Sequence, residues 1–335
     1  PAIPLPSAHF NTVLYTGNGA DDRNMTGVGF QPDFVWLKSR SGANNHYLYD
    51  AIRGPNKQIL SNASVAEGNI ADRMQAFQSD GFQLGTSSEI NNNGHNYVSW
   101  NWKANGAGSN DTSGDIDATV SANQTAGFSI VNYVPNGTAS ATVPHGLGVA
   151  PEMVFYKRYN SSSQWFCWTT VIDGSDDYLV LDSTDAAAAV SQAGGTSFTS
   201  SFIRATNYGA SGSPEVVAYC FASKPSFSKV GIYTGNGNAD GPYISTGFKP
   251  AWVLIKDTTG SSNGWILFDS ARSPFNEVGL YLLPNSSAAE ADYDRIDLLS
   301  NGFKLRHNYG GDNANNSVYL YIAFAEAPFK YANAR

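Results

Sequence analysis

The chain is short of the residues from which most active sites are built. Its 335 residues include only two cysteines, five histidines and three methionines. Two cysteines cannot make a disulfide framework. Cys167 and Cys220 each sit in an apolar run, and two buried thiols or one disulfide both fit that setting. No two of His9, His46, His95, His145 and His307 stand at metal-ligand spacing, so no metal site is expected. Charged residues make up 14%, below the roughly one quarter of ordinary globular chains. Basic residues number 20 against 28 acidic ones, for a net charge of −8. That balance argues against nucleic acid, which needs clustered Lys and Arg. No apolar run is long enough to span a bilayer, so membrane insertion is not expected either. There is no G-x-S-x-G elbow. Gly17-x-Gly19 and Gly235-x-Gly237 lack the third glycine and following helix of a nucleotide loop, and read as hairpin turns. The acidic stretch around Asp173, Asp176, Asp177, Asp182 and Asp185 lacks EF-hand order and reads as a solvated loop rather than a calcium site. No cofactor and no catalytic residue is expected.

What is present points to an all-β protein. Apolar residues are 41% and aromatics 13%, too many for disorder. The run Asp33–Lys38 follows Pro32, and it returns as Glu152–Lys157 after Pro151 and Ala251–Lys256 after Pro250. Each has four central apolar residues, which predicts a strand buried on both faces with the proline at its start. Tyr15–Gly19 recurs letter for letter as Tyr233–Gly237, and the step from Gly17 to Pro32 equals that from Gly235 to Pro250. Leu48–Arg53 recurs as Leu267–Arg272, and Asp80–Leu84 as Asn301–Leu305. The period is about a hundred residues, too long for a propeller blade or solenoid repeat. The expected fold is therefore three tandem β-sandwich, jelly-roll-like repeats.

The expected boundaries are an extended lead-in at 1–9, repeats at 10–104, 125–223 and 224–329, a Gly/Ser/Asn linker at 105–124 and a frayed tail at 330–335. Residues 64–77 read as a loop with one helical turn, and 186–190 as another turn. Asp50/Arg53 and Asp269/Arg272 read as ion pairs or turn-forming hydrogen bonds at strand ends. The more interesting chemistry is carbohydrate recognition, which takes flat aromatics for sugar faces and amides or carboxylates for hydroxyls. Two polar loops precede the closing strands beside aromatic residues. They nominate Asn92, Asn93 and His95, with Asp312, Asn313 and Asn315, as ligand-binding residues.

The phrases Tyr15–Gly19, Gly29–Lys38, Asp50–Gly54, Ser79–Gly85 and Tyr97–Ala104 resemble tandem-module virion structural proteins of marine phages, cyanophages especially. Val143–Met153 carries a further phrase typical of them. The resemblance implies a non-enzymatic tail-fibre, appendage or head-surface component at the particle surface. Its implied partners are other virion proteins and host cell-surface glycans, with a homotrimer as the expected assembly. A purely structural head-surface decoration is the alternative, and a polysaccharide-degrading enzyme a more distant one. The family supplies no catalytic residues. The chain opens on Pro1, which suits processing or excision from a longer fibre.

Overall fold

The structure is a computed structural model that describes residues 3–138, 140–190, 198–206, 213–260 and 262–328. It is nearly all β, built from several antiparallel sheets. The predicted strands are Phe34–Ser39, Met153–Arg158 and Phe248–Asp257. Each lies inside one of three broad sheets and pairs on one side with a closing strand, Asn96–Trp102, Val216–Phe221 or Val318–Pro328. On the other side each pairs with His46–Asp50, Trp165–Thr169 or Ile266–Asp269. These registers fix which residues correspond among the three segments. Pro32 and Pro151 precede their strands as expected. Pro250 instead lies within its strand, where the register shifts, because a bulge tolerates a residue with no N–H to give.

Alternate residues of these strands face two different cores. Val35 and Leu37 turn outward with Tyr47 and Tyr49 onto Met25, Met74, Phe82 and Leu84 of a small second sheet. Val154 and Tyr156, and Val253 and Ile255, do the same in their segments. Phe34 and Trp36, Met153 and Phe155, and Trp252 and Leu254 turn inward into one cluster shared by all three segments. Trp102 meets Trp252 edge-on at 5.7 Å, and Phe34 stacks on Tyr219 at 4.3 Å. An apolar run buried on both faces was thus legible in sequence. Its second cover, the neighbouring segments, was not.

The contacts around this centre join each segment to the other two and close on themselves. The Glu67 N–H donates to the Tyr159 carbonyl at 2.7 Å, that of Ala187 to Thr258 at 2.9 Å, and that of Glu290 to Arg40 at 3.1 Å. The indole of Trp165 donates to Leu60 O at 2.7 Å and that of Trp265 to Val180 O at 2.9 Å. His46 holds the corresponding place in the first segment, beside the Leu283 carbonyl. Its Nδ1 accepts from Trp36 Nε1, and burial drives the ring well towards its neutral form. The recurrent lysines finish the seams. Lys38 Nζ donates to Ser287 O and Lys256 Nζ to Thr184 O, each on the neighbouring segment. Burial lowers Lys38, Lys157 and Lys256 to about 8. One chain supplies all three sheets to a single centre.

The two recurring ion pairs belong to these seams too. Asp50 Oδ2 accepts from Arg53 Nε at 2.6 Å and from Tyr219 Oη of the second segment at 2.7 Å. Asp269 Oδ2 accepts from Arg272 Nε at 2.5 Å and from Trp100 Nε1 of the first segment at 3.0 Å. Register places Thr169 and Ile322 at the third seam, so both the carboxylate and its donor are replaced together. A buried carboxylate there would have no donor to face.

Several expected boundaries shift. The stretch 105–124 is not a linker: Ser109–Asp111 and Ala118–Asn123 extend the second sheet, and Ile116, Ala118 and Val120 are buried. Its small polar residues conceal a strand alternation. The lead-in is not free either, since Ile3 enters the shared core and Pro6–Ala8 form a 3-10 turn. Residues 64–77 hold strands at Gly68–Asn69 and Met74–Gln78, and Ala188–Ala189 is a strand rather than a helical turn. Residues 330–335 lie outside the described residues. Cys167 and Cys220 are free, buried in different cores, and burial pushes the Cys220 thiol up to about 12. Asp173 accepts from Ser175 N and Oγ, a turn of the kind a solvated loop makes.

Candidate functional site

The two nominated loops contain short helical turns, Ser88–Asn91 and Gly310–Asn313. Each ends on a buried asparagine that holds the turn at 17–20 or 235–238, and these turns do not close hairpins as expected, because the strands on either side of each pair elsewhere. Asn313 Oδ1 accepts from Asn236 N at 2.9 Å while its Nδ2 donates to Asn238 O and His307 O. Asn91 makes the same set to Asn18 N, Ala20 O and Gly85 O. Asn313 is therefore a clamp whose amide is fully used. Gly17 and Gly235 recur because this approach is close. A Cβ on Gly17 would lie 2.1 Å from Asn92 O, and one on Gly235 2.3 Å from Ala314 O. Asn92 and His95 are half-buried, the first accepting from His95 N and the second from Gly17 N through their carbonyls. Asn93 and Asn315 are exposed at the tips. Asp312 is fully buried.

Asp312 leads to the place where the first and third segments differ most. The two arginines Arg73 and Arg295 correspond, the carbonyl of each accepting from the N–H that ends the next strand, Gly85 N and Arg306 N. In the first segment Arg73 is satisfied by polar groups. Its Nη1 donates to Gln58 Oε1 and its Nε lies 3.4 Å from Ser87 Oγ, over the ring of Tyr47. In the third segment Tyr281 takes the place of Gln58, Tyr309 that of Ser87, and Asp312 that of Ile90. The Arg295 guanidinium now lies 4.1 Å from the Tyr281 ring centre and 4.2 Å from that of Tyr309, stacked between them. Arg295 Nη1 stands 3.7 Å from Asp312 Oδ2. Arg295 Nε and Nη1 and both Asp312 oxygens have no hydrogen-bond partner among the described residues. Burial raises the Asp312 carboxyl to about 7, against the pull of Arg295. Such unsatisfied buried groups call for water or a ligand.

Above this buried pair the surface is aromatic. Tyr293 is 52% exposed and Tyr309 43% exposed. His307 lies between them, edge-on to Tyr293 at 4.7 Å, and its Nδ1 accepts from Tyr309 N. Glu277, Asp292, Tyr293, Asp294, Arg306 and His307 line an open bowl of about 500 Å³. Arg306 is already shared between Glu277 at 3.5 Å and Asp297 at 3.4 Å. Gly279 makes room for the acids: a Cβ there would lie 2.2 Å from Asp292 Oδ1 and 2.8 Å from Asp294 Oδ1. Flat exposed rings beside carboxylates match the contact chemistry of a saccharide, with rings for its C–H face and oxygens for its hydroxyls.

Of the six nominated residues, only Asp312 belongs to this site, and it lies beneath it. Tyr281, Tyr293, Arg295 and Tyr309 were missed. For Tyr281 and Tyr309 the signal was available in the sequence, as positions where the third segment has Tyr in place of Gln58 and Ser87, whereas Arg295 is matched by Arg73 and gave none. No curated protein and no solved structure matches the chain. A family model described as a domain of unknown function, DUF7483, matches residues 5–328, and the chain belongs to that family.

Proposed function

We propose that the chain is a virion surface component of the tail-fibre type, built of three tandem β-sandwich repeats, that holds host-envelope glycan on the Tyr293–Tyr309 face of its third repeat. The observation that carries the binding reading is the pair of exposed tyrosines, Tyr293 and Tyr309, against the buried Arg295, at a place where the first segment is closed by ordinary polar contacts. The shared core supports a rigid support rather than a moving machine, because every inner face is already covered. The function is binding, not catalysis. The partners proposed are other virion proteins and the glycan. Three chains associating as a homotrimer would use outer surfaces.

Binding of the isolated protein to host cells and to a glycan array tests the reading. Retention that is lost in Tyr293→Ala and Tyr309→Ser is the expected result. Equal retention by those variants, or none by a protein that folds normally, removes it. The alternative is a head-surface decoration with no ligand. It draws support from the closed three-part arrangement, and absence of any glycan or cell binding would favour it. Sedimentation at micromolar concentration tests the homotrimer, which a clean monomer would rule out.

A further inference from the structure

Corresponding residues meet at the three seams, and the seam between the third and first segments departs from the other two. Register places Thr12 where the other segments have Ile130 and Val230. Two residues beyond the Asp50, Thr169 and Asp269 positions stand Ile52, Val171 and Ala271. Ile52 and Val171 pack against the shared core, and Ala271 is too short to do the same. At the start of the Pro–Lys strands, Asp33 and Glu152 accept from Ala104 N and Ser223 N at 2.7 and 2.9 Å. The third segment has Ala251 there.

These departures meet. Thr12, Ala251 and Ala271 line one hollow of about 100 Å³, together with Phe10, Ser270 and Glu326. Side chains shortened in a packed place leave a cavity where the surroundings relax only in part. Thr12 Oγ1 is buried and has no hydrogen-bond partner among the described residues. Such a hydroxyl calls for water or a ligand. Phe10, Ala251, Ala271 and Ala325 give the hollow apolar surface, while Ser7, Thr12 and Ser270 give it hydroxyls. Glu326 is its one charged lining residue, and the Glu326 Oε1 accepts from Lys249 Nζ at 3.1 Å. Neither an anion nor a cation therefore meets an unbalanced charge. Ser7 is exposed, so the hollow is in reach of solvent. A water molecule takes about 30 Å³ of liquid, which leaves room here for a compound of roughly four or five non-hydrogen atoms.

We infer that this hollow binds a small neutral alcohol of the diol class, with its hydroxyls on Thr12 and Ser270 and its carbons on Phe10, Ala251 and Ala271. The site shares no residue with the tyrosine face and stands independently of the glycan reading.

The test is titration of the full chain at neutral pH, followed by saturation-transfer NMR, with three probes of similar size: propane-1,2-diol, lactate and protonated 1-aminopropan-2-ol. The diol is expected to bind with a dissociation constant on the order of millimolar, within the limit set by so few atoms. Both ions should bind at least about tenfold more weakly, because each must shed water from a charge that nothing in the hollow balances. Ala271→Ile restores the side chain of the first segment and should abolish diol binding. Thr12→Val keeps the shape, removes the hydroxyl and should weaken the diol about fivefold to tenfold, which keeps the test open if Ala271→Ile does not fold. No diol binding by the folded wild type means that the hollow takes water only and overturns the proposal. Diol binding that survives Thr12→Val and any folded Ala271→Ile places the ligand elsewhere and overturns it too. Either ion bound as tightly as the diol removes the neutral preference.

Discussion

The first and third segments share a register, a glycine turn and an asparagine clamp, and yet differ at the cluster beside that clamp. Arg73 and Arg295 stand at corresponding positions, but Arg73 is tied to Gln58 and Ser87 whereas Arg295 is wedged between Tyr281 and Tyr309 over a buried Asp312. The first arrangement satisfies its hydrogen bonds locally. The second leaves donors and acceptors unused in a buried place, which costs roughly 1–3 kcal/mol per group unless something fills them. Repetition makes the contrast informative. Positions that recur serve the turn and the shared core, and departure from them at Tyr281, Tyr309 and Asp312 isolates what the third segment does alone. The seams teach the same lesson, since the second segment lost its carboxylate at Thr169 where its neighbour offers Ile322 instead of an N–H or O–H.

The seam comparison predicts the largest effect. Asp269→Ala strips Arg272 and the Trp100 indole of their acceptor in a dry place and should cost about 3–5 kcal/mol. Thr169→Val at the corresponding position loses the hydroxyl's bonds to Glu152 O and from Val171 N and should cost only about 1–2 kcal/mol. Denaturant unfolding of both decides the point, and equal costs would break the correspondence.

Asp312 gives the next largest. Its folded carboxyl is raised from 3.8 to about 7, so between those values the folded chain binds a proton that the unfolded chain has released. Stability contributed by this group therefore falls as pH rises through that window and is flat above it, by about 4 kcal/mol in all. Other carboxylates slope the opposite way, so the quantity to measure is wild type against D312N. Their difference should shift against the wild type from pH 4 to about 7, and a pH-independent difference would show that the carboxyl is not buried as described.

The triple substitution Tyr281→Gln, Tyr309→Ser and Asp312→Ile transplants the first segment's arrangement into the third. Glycan affinity should fall at least about tenfold, or 1.4 kcal/mol, while unfolding stability holds or rises. Retained affinity would place the ligand elsewhere. The smallest effects belong to the loop tips. Asn93→Ala and Asn315→Ala should each lie within about 0.5 kcal/mol of wild type in thermal unfolding, because both side chains are exposed.

Much of the architecture was legible in the sequence. The Pro–Lys strands and the Asp/Arg pairs lie where their local chemistry puts them, whereas the Tyr-Thr-Gly-Asn-Gly turns, expected to close hairpins, instead lead from one strand pairing to another. The covering of the inner faces was not legible, because Trp36, Phe155 and Leu254 look the same whether they meet a second sheet of their own or two other segments. The strand Ala118–Asn123 was hidden by its small polar residues, since composition outweighed the alternation of Ala118, Val120 and Ala122. The candidate site was nearly invisible for a related reason. Tyr281, Arg295 and Tyr309 converge only through the pairing of three strands and a turn, and abundance of asparagine drew attention to clamps such as Asn313 instead.

The most direct measurement is a structure of the chain with a bound host-surface glycan. The account predicts a sugar ring stacked on Tyr293, beside His307 and Tyr309, and nothing bound at Arg73. A sugar seated instead on the Asn91–Asn96 loop, or in the hollow lined by Asn110, Asp115 and Asn136, would contradict it.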